Sequence, residues 1–337
     1  MKRHGHLFEH MAAFDTLLLA AHRAMRGKRD RLSVAQFEFH LEPELLRLQD
    51  ELWSGGYRMR PYRTFRIYEP KPRQICAADF RDRVVQHAIC HVLDPIIERG
   101  LIHDTYACRR GKGTHAAVRR AQQFARRFPY VLTADIQAYF PSIDHAILKA
   151  LLRRKLKDTQ LLALLDQIIE HPLPDALLGK GLPIGNLTSQ YFANLYLGEL
   201  DHFLKDRLRV KGYVRYMDDM LVFAADKVVL HELHAALRTF VRERLCLELK
   251  ARASRVLPVS QGIPFLGFRI FPALLRVQRN RWVQFRRKVR KREWQYAQGV
   301  IDEAELAQCV ASMIGHVVHA DTLAARRHVF GASLALG

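Results

Sequence analysis

The segment Tyr216-Met217-Asp218-Asp219 constrains this chain more than any other feature of its sequence. Two short runs rich in β-forming residues, 213–216 and 220–224, are separated by only three residues, which predicts a β-hairpin. Two adjacent carboxylates between apolar strands repel each other and resist ionising together unless a positive group lies beside them. A metal ion would supply that charge, so we interpret the hairpin as the acidic part of a metal site.

A second acid-bearing strand is predicted at 130–136. Its apolar residues lead to Asp135 near the C-terminal end, and the peptide carbonyl of Ile136 follows at once. Mg²⁺ is usually bound through one or two carboxylates together with substrate phosphates. Two Mg²⁺ ions held by acids from two strands can clamp both oxygens of an in-line displacement, the reaction that joins a nucleotide to a primer. Each aspartate taken singly could instead cap a turn.

The charge balance indicates a polyanionic partner. The 337 residues include 54 Lys and Arg against 34 Asp and Glu, a formal net charge of +20, while 49% hydrophobic residues are enough for a packed core. Nucleic acid is the expected partner. A ribosome-bound or membrane-surface protein could be equally basic, so charge alone does not separate an enzyme from a passive binder.

The hydrophobic periodicity predicts helices and strands in alternation. The predicted helices cover 6–25, 34–53, 82–93, 148–169, 188–208 and 228–245. Besides the strands that carry acids, we expect strands at 62–68, near Leu247 and at 265–271. A final basic helix is expected between Arg276 and Arg292, a stretch with nine basic residues and no acidic one.

The cysteines and the apolar runs indicate a soluble cytoplasmic protein. The five cysteines show no C-x-x-C spacing, so we expect reduced thiols rather than disulfides or a zinc ribbon. The cluster His87, Cys90 and His91 fits the flank of a helix better than a metal site. No run approaches the roughly 18 apolar residues of a membrane span, and the N-terminus does not resemble a secretory signal.

Several basic and aromatic residues suit nucleotide chemistry. Lys71 and Arg73, on either side of Pro72, can neutralise a triphosphate. Phe140 follows Asp135 by five residues, and its ring could press on the incoming sugar and exclude a 2′-hydroxyl, which would select deoxynucleotides. Further predicted nucleic-acid contacts are Arg110, Lys112, Arg286, Arg287, Lys288 and Arg290. Solvated charge or an ordinary core phenylalanine would explain any one of these residues taken alone.

The order of these motifs resembles the polymerase domain of reverse transcriptases, and specifically those of diversity-generating retroelements. The matching segments before the acidic turn are Glu69-Pro70-Lys71-Pro72-Arg73, Asp82-Arg83-Val84-Val85-Gln86-His87, Tyr106-Ala107-Cys108-Arg109, Gly113-Thr114-His115, Ala134-Asp135, Phe140-Pro141-Ser142-Ile143-Asp144 and Ile184-Gly185-Asn186-Leu187-Thr188-Ser189-Gln190. After the turn comes Gly262-Ile263-Pro264-Phe265-Leu266-Gly267-Phe268. Segment 184–190 discriminates best, because intron-encoded enzymes of this kind usually carry Gln before the glycine and Ser-Pro at the end.

The resemblance implies an α+β right-hand polymerase fold with fingers, a palm built on an antiparallel sheet, and a helical thumb. We expect an N-terminal helical extension at 1–56, fingers and palm at 57–270, and a basic helical thumb at 271–337. The implied activity is RNA-directed DNA synthesis with two Mg²⁺ ions, an RNA template, a cDNA primer strand and deoxynucleotides.

The resemblance also assigns roles to individual residues. Asp135, Asp218 and Asp219 would bind the metals, with the carbonyl of Ile136 alongside and Asp219 the least directly engaged. Lys71 and Arg73 would hold the triphosphate, Phe140 would be the sugar gate, and Ile184, Gly185 and Gln190 would line the nucleotide and template pocket. Phe265, Leu266, Gly267 and Phe268 would form the primer grip. Lys250 corresponds loosely to a proton-donating lysine.

The retroelement resemblance implies a biological role and a partner. Such enzymes copy a template-repeat RNA into cDNA with errors at adenines, and they act with a small, basic, oligomeric accessory variability protein. The main alternative is another bacterial reverse transcriptase, from phage defence or derived from an intron. A non-catalytic basic RNA-binding scaffold would not explain the acids, and a two-metal nuclease would need neither the aromatic residue after Asp135 nor the primer-grip pattern.

Overall fold

The computed structural model describes residues 3–68, 72–174 and 176–334 and consists of helices and antiparallel strands. The helices are α1 (Leu7–Ala12), α2 (Phe14–Met25), α3 (Leu32–Phe39), α4 (Leu41–Trp53), α5 (Phe80–Arg99), α6 (Thr114–Ala125), α7 (Tyr139–Ser142), α8 (His145–Lys155), α9 (Thr159–Ile169), α10 (Leu187–His202), α11 (Lys227–Leu245), α12 (Arg279–Ala297), α13 (Glu303–Val317) and α14 (Leu323–Leu334). The strands are β1 (Arg63–Ile67), β2 (Arg73–Ala77), β3 (Tyr130–Asp135), β4 (Gly212–Tyr216), β5 (Asp219–Ala224), β6 (Arg255–Pro258), β7 (Ile263–Phe265), β8 (Phe268–Ile270) and β9 (Leu275–Val277).

The chain forms two compact units, each assembled from separate stretches. Unit 1 contains residues 1–103, 136–209 and 236–250, and unit 2 contains residues 104–135, 210–235 and 251–337. These stretches do not follow the expected boundaries after residues 56 and 270. The assignment of fingers, palm and thumb to particular residues therefore stays a prediction.

Unit 1 is mainly helical and is organised around α5. Asp79 caps the start of this helix by accepting a hydrogen bond from the backbone N–H of Arg81 at 3.1 Å. Most of its residues are buried, and α2 and α10 pack against it. The antiparallel pair β1–β2 forms a separate two-stranded sheet in this unit.

Unit 2 contains the sheet that carries the acids. Its strand order is β4-β5-β3-β6, with antiparallel neighbours, and a second sheet has the order β7-β8-β9. Side chains from α6 and from both sheets share one hydrophobic core, which includes Phe124, Leu221 and Phe268. A smaller core between the terminal helices contains Phe285, Val289 and Val317.

The structure corrects several predicted elements. The helix expected at 6–25 is divided at Ala13, whose backbone is extended, and the helix expected at 34–53 is divided at His40. No strand forms near Leu247 in the described chain, where Leu249 makes only an isolated bridge with Ile136. Hydrophobic periodicity did not reveal these breaks because it continues across a single residue that leaves the helical conformation.

The strand expected at 265–271 is instead part of the hairpin β7–β8. Phe265 pairs with Phe268, so Leu266 and Gly267 form a two-residue loop, and both have positive φ, 50° and 87°. That combination is typical of a type I′ hairpin turn. A leucine is unusual in the first of these positions, which is why the sequence did not indicate a turn here.

Candidate active site

The predicted acidic hairpin is present, with a loop shorter than the sequence suggested. Tyr216 pairs directly with Asp219, so only Met217 and Asp218 lie in the loop, and Asp219 is the first residue of β5. Met217 has a φ of 55°. In a two-residue hairpin loop, a positive φ at the first position is characteristic of the type II′ turn, where glycine is the usual residue.

The sheet register brings Asp135 opposite Asp219. Asp135 is the last residue of β3, and the antiparallel pairing of β3 with β5 aligns it with Asp219. Residues in directly opposite positions have Cβ atoms about 5 Å apart on the same face of the sheet. All three acids are half-buried. Two predicted metal-binding aspartates are therefore neighbours, and Asp218 precedes one of them in the turn.

The conformation of the turn is supported by Arg215. This side chain is fully buried, and its Nη1 donates a hydrogen bond to the carbonyl oxygen of Met217 at 3.1 Å. The backbone of Arg215 is held in turn, because its N–H donates to the carbonyl of Asp104 and its carbonyl accepts from the N–H of Tyr106, both at 3.0 Å. Hydrogen bonds therefore hold both the backbone of the loop that carries Asp218 and the strand β4 that precedes it.

The predicted primer-grip hairpin β7–β8 lies beside Asp219. A cleft of about 450 Å³ is lined by Asp219 and by Phe265, Leu266 and Gly267. Gln278 fixes the hairpin loop, because its N–H donates to the carbonyl of Gly267 at 2.9 Å and its side-chain amide donates to the carbonyl of Phe268 at 3.0 Å. The structure therefore brings three of the four predicted grip residues to the cleft that contains a predicted catalytic acid.

The same cleft contains residues to which the sequence analysis assigned no role. Thr114, Gln278, Arg281 and His316 also line it. Burial lowers the pKa of His316, and the charge of Arg281 lowers it further. Arg281 belongs to the basic run noted in the sequence, but nothing in the sequence distinguished it from its neighbours. His316 comes from α13, and only the folding of that helix brings it to the cleft.

The predicted nucleotide-binding residues of unit 1 fall on connected elements. Arg73 is exposed at the start of β2, and Cys76 of the same strand donates its backbone N–H to the carbonyl of Ile184 at 3.0 Å. The carbonyl of Phe140 accepts from the N–H of Leu182 at 2.8 Å. Segment 182–184 therefore connects Phe140 to β2. Lys71 lies outside the described residues.

Gly185 occupies a position that only glycine tolerates well. Its φ is 119°, and a Cβ atom would lie 3.0 Å from Cγ2 of Ile75 and 3.4 Å from the carbonyl oxygen of Cys76. The next residue, Asn186, donates its side-chain amide to the hydroxyl of Tyr62 at 3.0 Å. The glycine of the matching motif is thus explained by backbone geometry and by its close approach to β2.

We expect Gly185→Ala to destabilise the protein more than the matched substitution Gly179→Ala. Both glycines have positive φ, but nothing lies within 4 Å of a Cβ at Gly179. The control should lose about 1 kcal/mol and Gly185→Ala about 2–3 kcal/mol, because the φ of Gly185 strains an alanine more than the φ of Gly179 does and because the added Cβ atom is also crowded. Urea unfolding measures both losses, and equal losses would show that neither the φ nor the crowding at Gly185 restricts this position.

The remaining predicted residues occupy half-buried and exposed positions. Gln190 lies half-buried in α10, and Lys250 is half-buried just after Leu249. Arg110 is exposed and Lys112 is half-buried, with its Nζ 5.0 Å from the ring centroid of Tyr106. Exposed positions on α12 hold the other predicted contacts, Arg286, Arg287, Lys288 and Arg290. Their roles stay predictions.

A magnesium requirement is compatible with the acids present. In the described ranges 3–68, 72–174 and 176–334, no three His, Cys, Asp or Glu side chains form a group that could hold a metal ion by themselves. Mg²⁺ does not need such a group, because it takes one or two carboxylates and completes its shell with phosphate and water oxygens. The paired Asp135 and Asp219, with Asp218 adjacent, supply donors of the right kind.

The family comparison decides the class of protein. Residues 68–270, more than half of the chain, match the family model described as reverse transcriptase (RNA-dependent DNA polymerase). The chain belongs to this family. It is therefore an RNA-directed DNA polymerase, as the sequence predicted. Reverse transcriptases generally use divalent metal ions, and homologues bind template RNA and nucleotides.

Two relatives illustrate the similarity. The chain is 26% identical over 286 residues to Protein YkfC of Escherichia coli (strain K12), and the aligned residues cover 72% of this chain and 74% of that protein. It is 23% identical over 320 residues to the group II intron-encoded protein LtrA of Lactococcus lactis subsp. cremoris, covering 74% of this chain and 53% of LtrA. The chain thus spans about half the length of LtrA.

A solved structure supports the predicted fold class. The chain resembles the apo telomerase from Candida tropicalis truncated from its C-terminal domain, with a TM-score of 0.51 and 11% sequence identity over 68% of this chain and 58% of that chain. This likeness concerns the fold alone. The expected α+β right-hand polymerase fold is confirmed.

None of the helices in residues 3–68, 72–174 and 176–334 combines the length and the apolar character that a membrane span needs.

Proposed function

We propose that this reverse transcriptase extends a DNA primer on an RNA template with two Mg²⁺ ions held by Asp135, Asp218 and the carbonyl of Ile136, with Asp219 assisting. The observation that carries the proposal is the alignment of Asp135 with Asp219 next to a two-residue turn that presents Asp218. Acids from two strands are what a metal-assisted displacement requires. When bound, the ions would stabilise the attacking and leaving oxygens.

Other side chains bind the nucleotide, select the sugar and donate a proton. Lys71 and Arg73 neutralise the triphosphate, and Phe140 restricts space beside the sugar so that a deoxynucleotide is preferred. Gly185 and Gln190 line the nucleotide and template pocket. Lys250 donates a proton to the leaving pyrophosphate. The support for these roles is the match of each residue to a family motif, together with the connection of Phe140, Ile184 and β2 in unit 1.

The primer strand is held beside the acids. Phe265 to Phe268 form the hairpin that borders the cleft containing Asp219, and Gln278 keeps that hairpin in place. Arg110, Lys112, Arg286, Arg287, Lys288 and Arg290 contact the phosphates of the template and primer. Such contacts would raise affinity without reading the base sequence.

Primer extension on RNA tests the proposal. The complete chain is incubated with an RNA template, a DNA primer, Mg²⁺ and deoxynucleotides, in parallel with and without its cognate RNA and accessory protein. We expect extension that requires Mg²⁺ and stops at the end of the template. Failure to extend under all of these conditions would refute the proposed activity.

We further propose that the enzyme serves a diversity-generating retroelement and acts with a small, basic, oligomeric accessory protein. The support is segment 184–190, in which Ile184 replaces the glutamine usual in intron-encoded enzymes and Ser189-Gln190 replaces Ser-Pro. An intron-derived role is the second candidate, favoured by the similarity to the group II intron-encoded protein LtrA. Sequencing of cDNA separates them, because only the first role predicts frequent errors opposite template adenines.

We expect Ile184→Gln to lower the error rate opposite template adenines. The apolar side chain of Ile184 cannot supply the hydrogen bond that Gln would offer near the nascent base pair. One such bond is worth about 1 kcal/mol, so adenine errors should fall roughly fivefold. Ile184→Leu is the matched control and should keep the original rate. An unchanged error spectrum in Ile184→Gln would contradict the explanation.

A further inference from the structure

One surface of unit 1 collects basic side chains outside the proposed active site. It is formed by Arg23 of α2, by Lys28 and Arg31 after that helix, and by Arg83 and His87 of α5, which interact electrostatically with one another, and we call it the cationic face. The four members other than Arg31 are half-buried. The basic residues at 28 and 31 are evident in the sequence, but their association with α5 is a result of folding.

The backbone presents these side chains in a defined arrangement. Arg83 and His87 are four residues apart on α5 and therefore share a face one turn apart. Helix α2 packs against α5, and Gly27, with a φ of 67°, ends α2. The N–H of Lys28 then donates to the carbonyl of Met25 at 2.9 Å, so the loop is held close to the end of α2.

No acid forms an ion pair with the cationic face within the described parts of the chain. No carboxylate there lies within 4 Å of Arg23, Lys28, Arg31 or Arg83. By contrast, Arg29 in the same loop is paired with Glu38 at 3.1 Å. Asp79 acts on Arg83 from a distance, but its carboxylate is already 3.3 Å from Nη1 of Arg60.

The positive charges of the cationic face repel one another. Burial lowers the pKa of Lys28, and the charges of Arg83 and Arg31 lower it further. Burial also lowers the pKa of His87 to about 4, with additional contributions from Lys28, Arg23 and Arg83. A bound anion would offset this repulsion. Without an anion, the repulsion makes an unfavourable contribution to the free energy of the folded protein.

The length of the cationic face favours a nucleic-acid strand over a single phosphate ion as its ligand. On α5 the row continues to His91, whose Nδ1 lies 3.1 Å from Nη1 of Arg23. Positions 83, 87 and 91 span about 12 Å along the helix axis. A single phosphate group is much shorter than this row, so the row can contact more than one phosphate of a strand.

We propose that the cationic face binds the phosphodiester backbone of RNA. The choice of RNA rests on the proposed function, since an RNA template is the polyanion that this enzyme must handle. Lys28, Arg31, Arg83 and Arg23 neutralise successive phosphates, and the neutral imidazole of His87 donates or accepts a hydrogen bond within the row. The contacts are independent of base sequence.

The test compares two double charge reversals in the complete chain. Lys28→Glu/Arg31→Glu changes the cationic face, and Arg238→Glu/Arg244→Glu makes the same change of charge at exposed positions of α11. Affinity for an unstructured single-stranded RNA is measured by fluorescence anisotropy over a range of KCl concentrations. The assay needs no catalysis, so a failure of the proposed polymerase activity would leave this result interpretable.

We expect Lys28→Glu/Arg31→Glu to bind RNA at least about tenfold more weakly than the control, and its plot of log K against log salt to be shallower by about 1.4, or 0.7 for each lost phosphate contact. Equal RNA affinity and slope in the two variants would overturn the proposal. DNA of the same sequence and inorganic phosphate serve as further probes. If the substitutions weakened binding only of DNA or of inorganic phosphate and left RNA binding unchanged, that result would also overturn the proposal.

Folding of the variants is checked by thermal melting. If Lys28→Glu/Arg31→Glu is not folded, Lys28→Gln/Arg31→Gln replaces it, with Arg238→Gln/Arg244→Gln as the control. The neutral pair removes the same two contacts without adding negative charge, so the expected change in slope stays about 1.4. An unchanged slope in that pair overturns the proposal.

Discussion

Asp218→Asn should reduce the rate of primer extension by about 10³-fold, equivalent to about 4 kcal/mol of transition-state stabilisation. The amide keeps the size and shape of the side chain but removes the negative charge that would hold a cation in the turn. The rate is measured in single-turnover primer extension at saturating deoxynucleotide. Retention of activity within tenfold of the natural chain would refute the metal assignment.

The stability of Asp218→Asn separates this role from a structural one. The substitution keeps the volume of the side chain, so thermal melting in the absence of metal shows whether Asp218→Asn stays folded, and a folded variant with a lost rate assigns the loss to the site. Asp226→Asn is a suitable control, because Asp226 is an exposed acid whose side chain accepts from the N–H of Val228 at 2.6 Å, and Asn can replace it there. This control should keep its activity.

Phe140→Ala should raise the ratio of ribonucleotide to deoxynucleotide incorporation by roughly 100-fold, the scale of discrimination that one steric element in a pocket provides. The half-buried ring is expected to occupy the space that a 2′-hydroxyl would need. The ratio is obtained from kcat/KM for ATP and dATP on the same primer and template.

Two control variants test whether the ring of Phe140 itself excludes the 2′-hydroxyl. Phe140→Tyr keeps the ring and should keep the discrimination. Tyr139→Phe changes the neighbouring buried ring, whose hydroxyl donates to the carbonyl of Ala193 at 2.5 Å, and should affect stability without altering sugar choice. If Phe140→Ala discriminates as well as the natural chain, another residue excludes the 2′-hydroxyl.

Local patterns predicted the acid-bearing strands well. The runs at 213–216 and 220–224 indicated the pair β4 and β5, and the apolar residues before Asp135 indicated β3. These assignments succeeded because strand alternation and apolar runs are properties of a few consecutive residues. The extent of the loop was less predictable: Asp219 belongs to β5, since the backbone of Met217 adopts a positive φ that its side chain does not favour.

Contacts between distant segments were not predictable in the same way. Gln278, Arg281 and His316 line the cleft beside Asp219, but each comes from a stretch that the sequence shows only as basic or helical. The break at Ala13 depends on an extended backbone at a residue with high helix propensity, and the hairpin loop at 266–267 depends on a positive φ at Leu266, which a leucine does not favour. Tertiary packing overrides such local preferences.

The sequence by itself determined which acids, bases and motifs this reverse transcriptase carries, because these are properties of residue identity and spacing. Tertiary structure decided that Asp135 stands opposite Asp219, that β7–β8 borders the same cleft, and that Arg83 and His87 join Lys28 and Arg31 on one face. The physical reason is that strand register and helix packing are set by burial and hydrogen bonding over the whole core. No short segment contains that information.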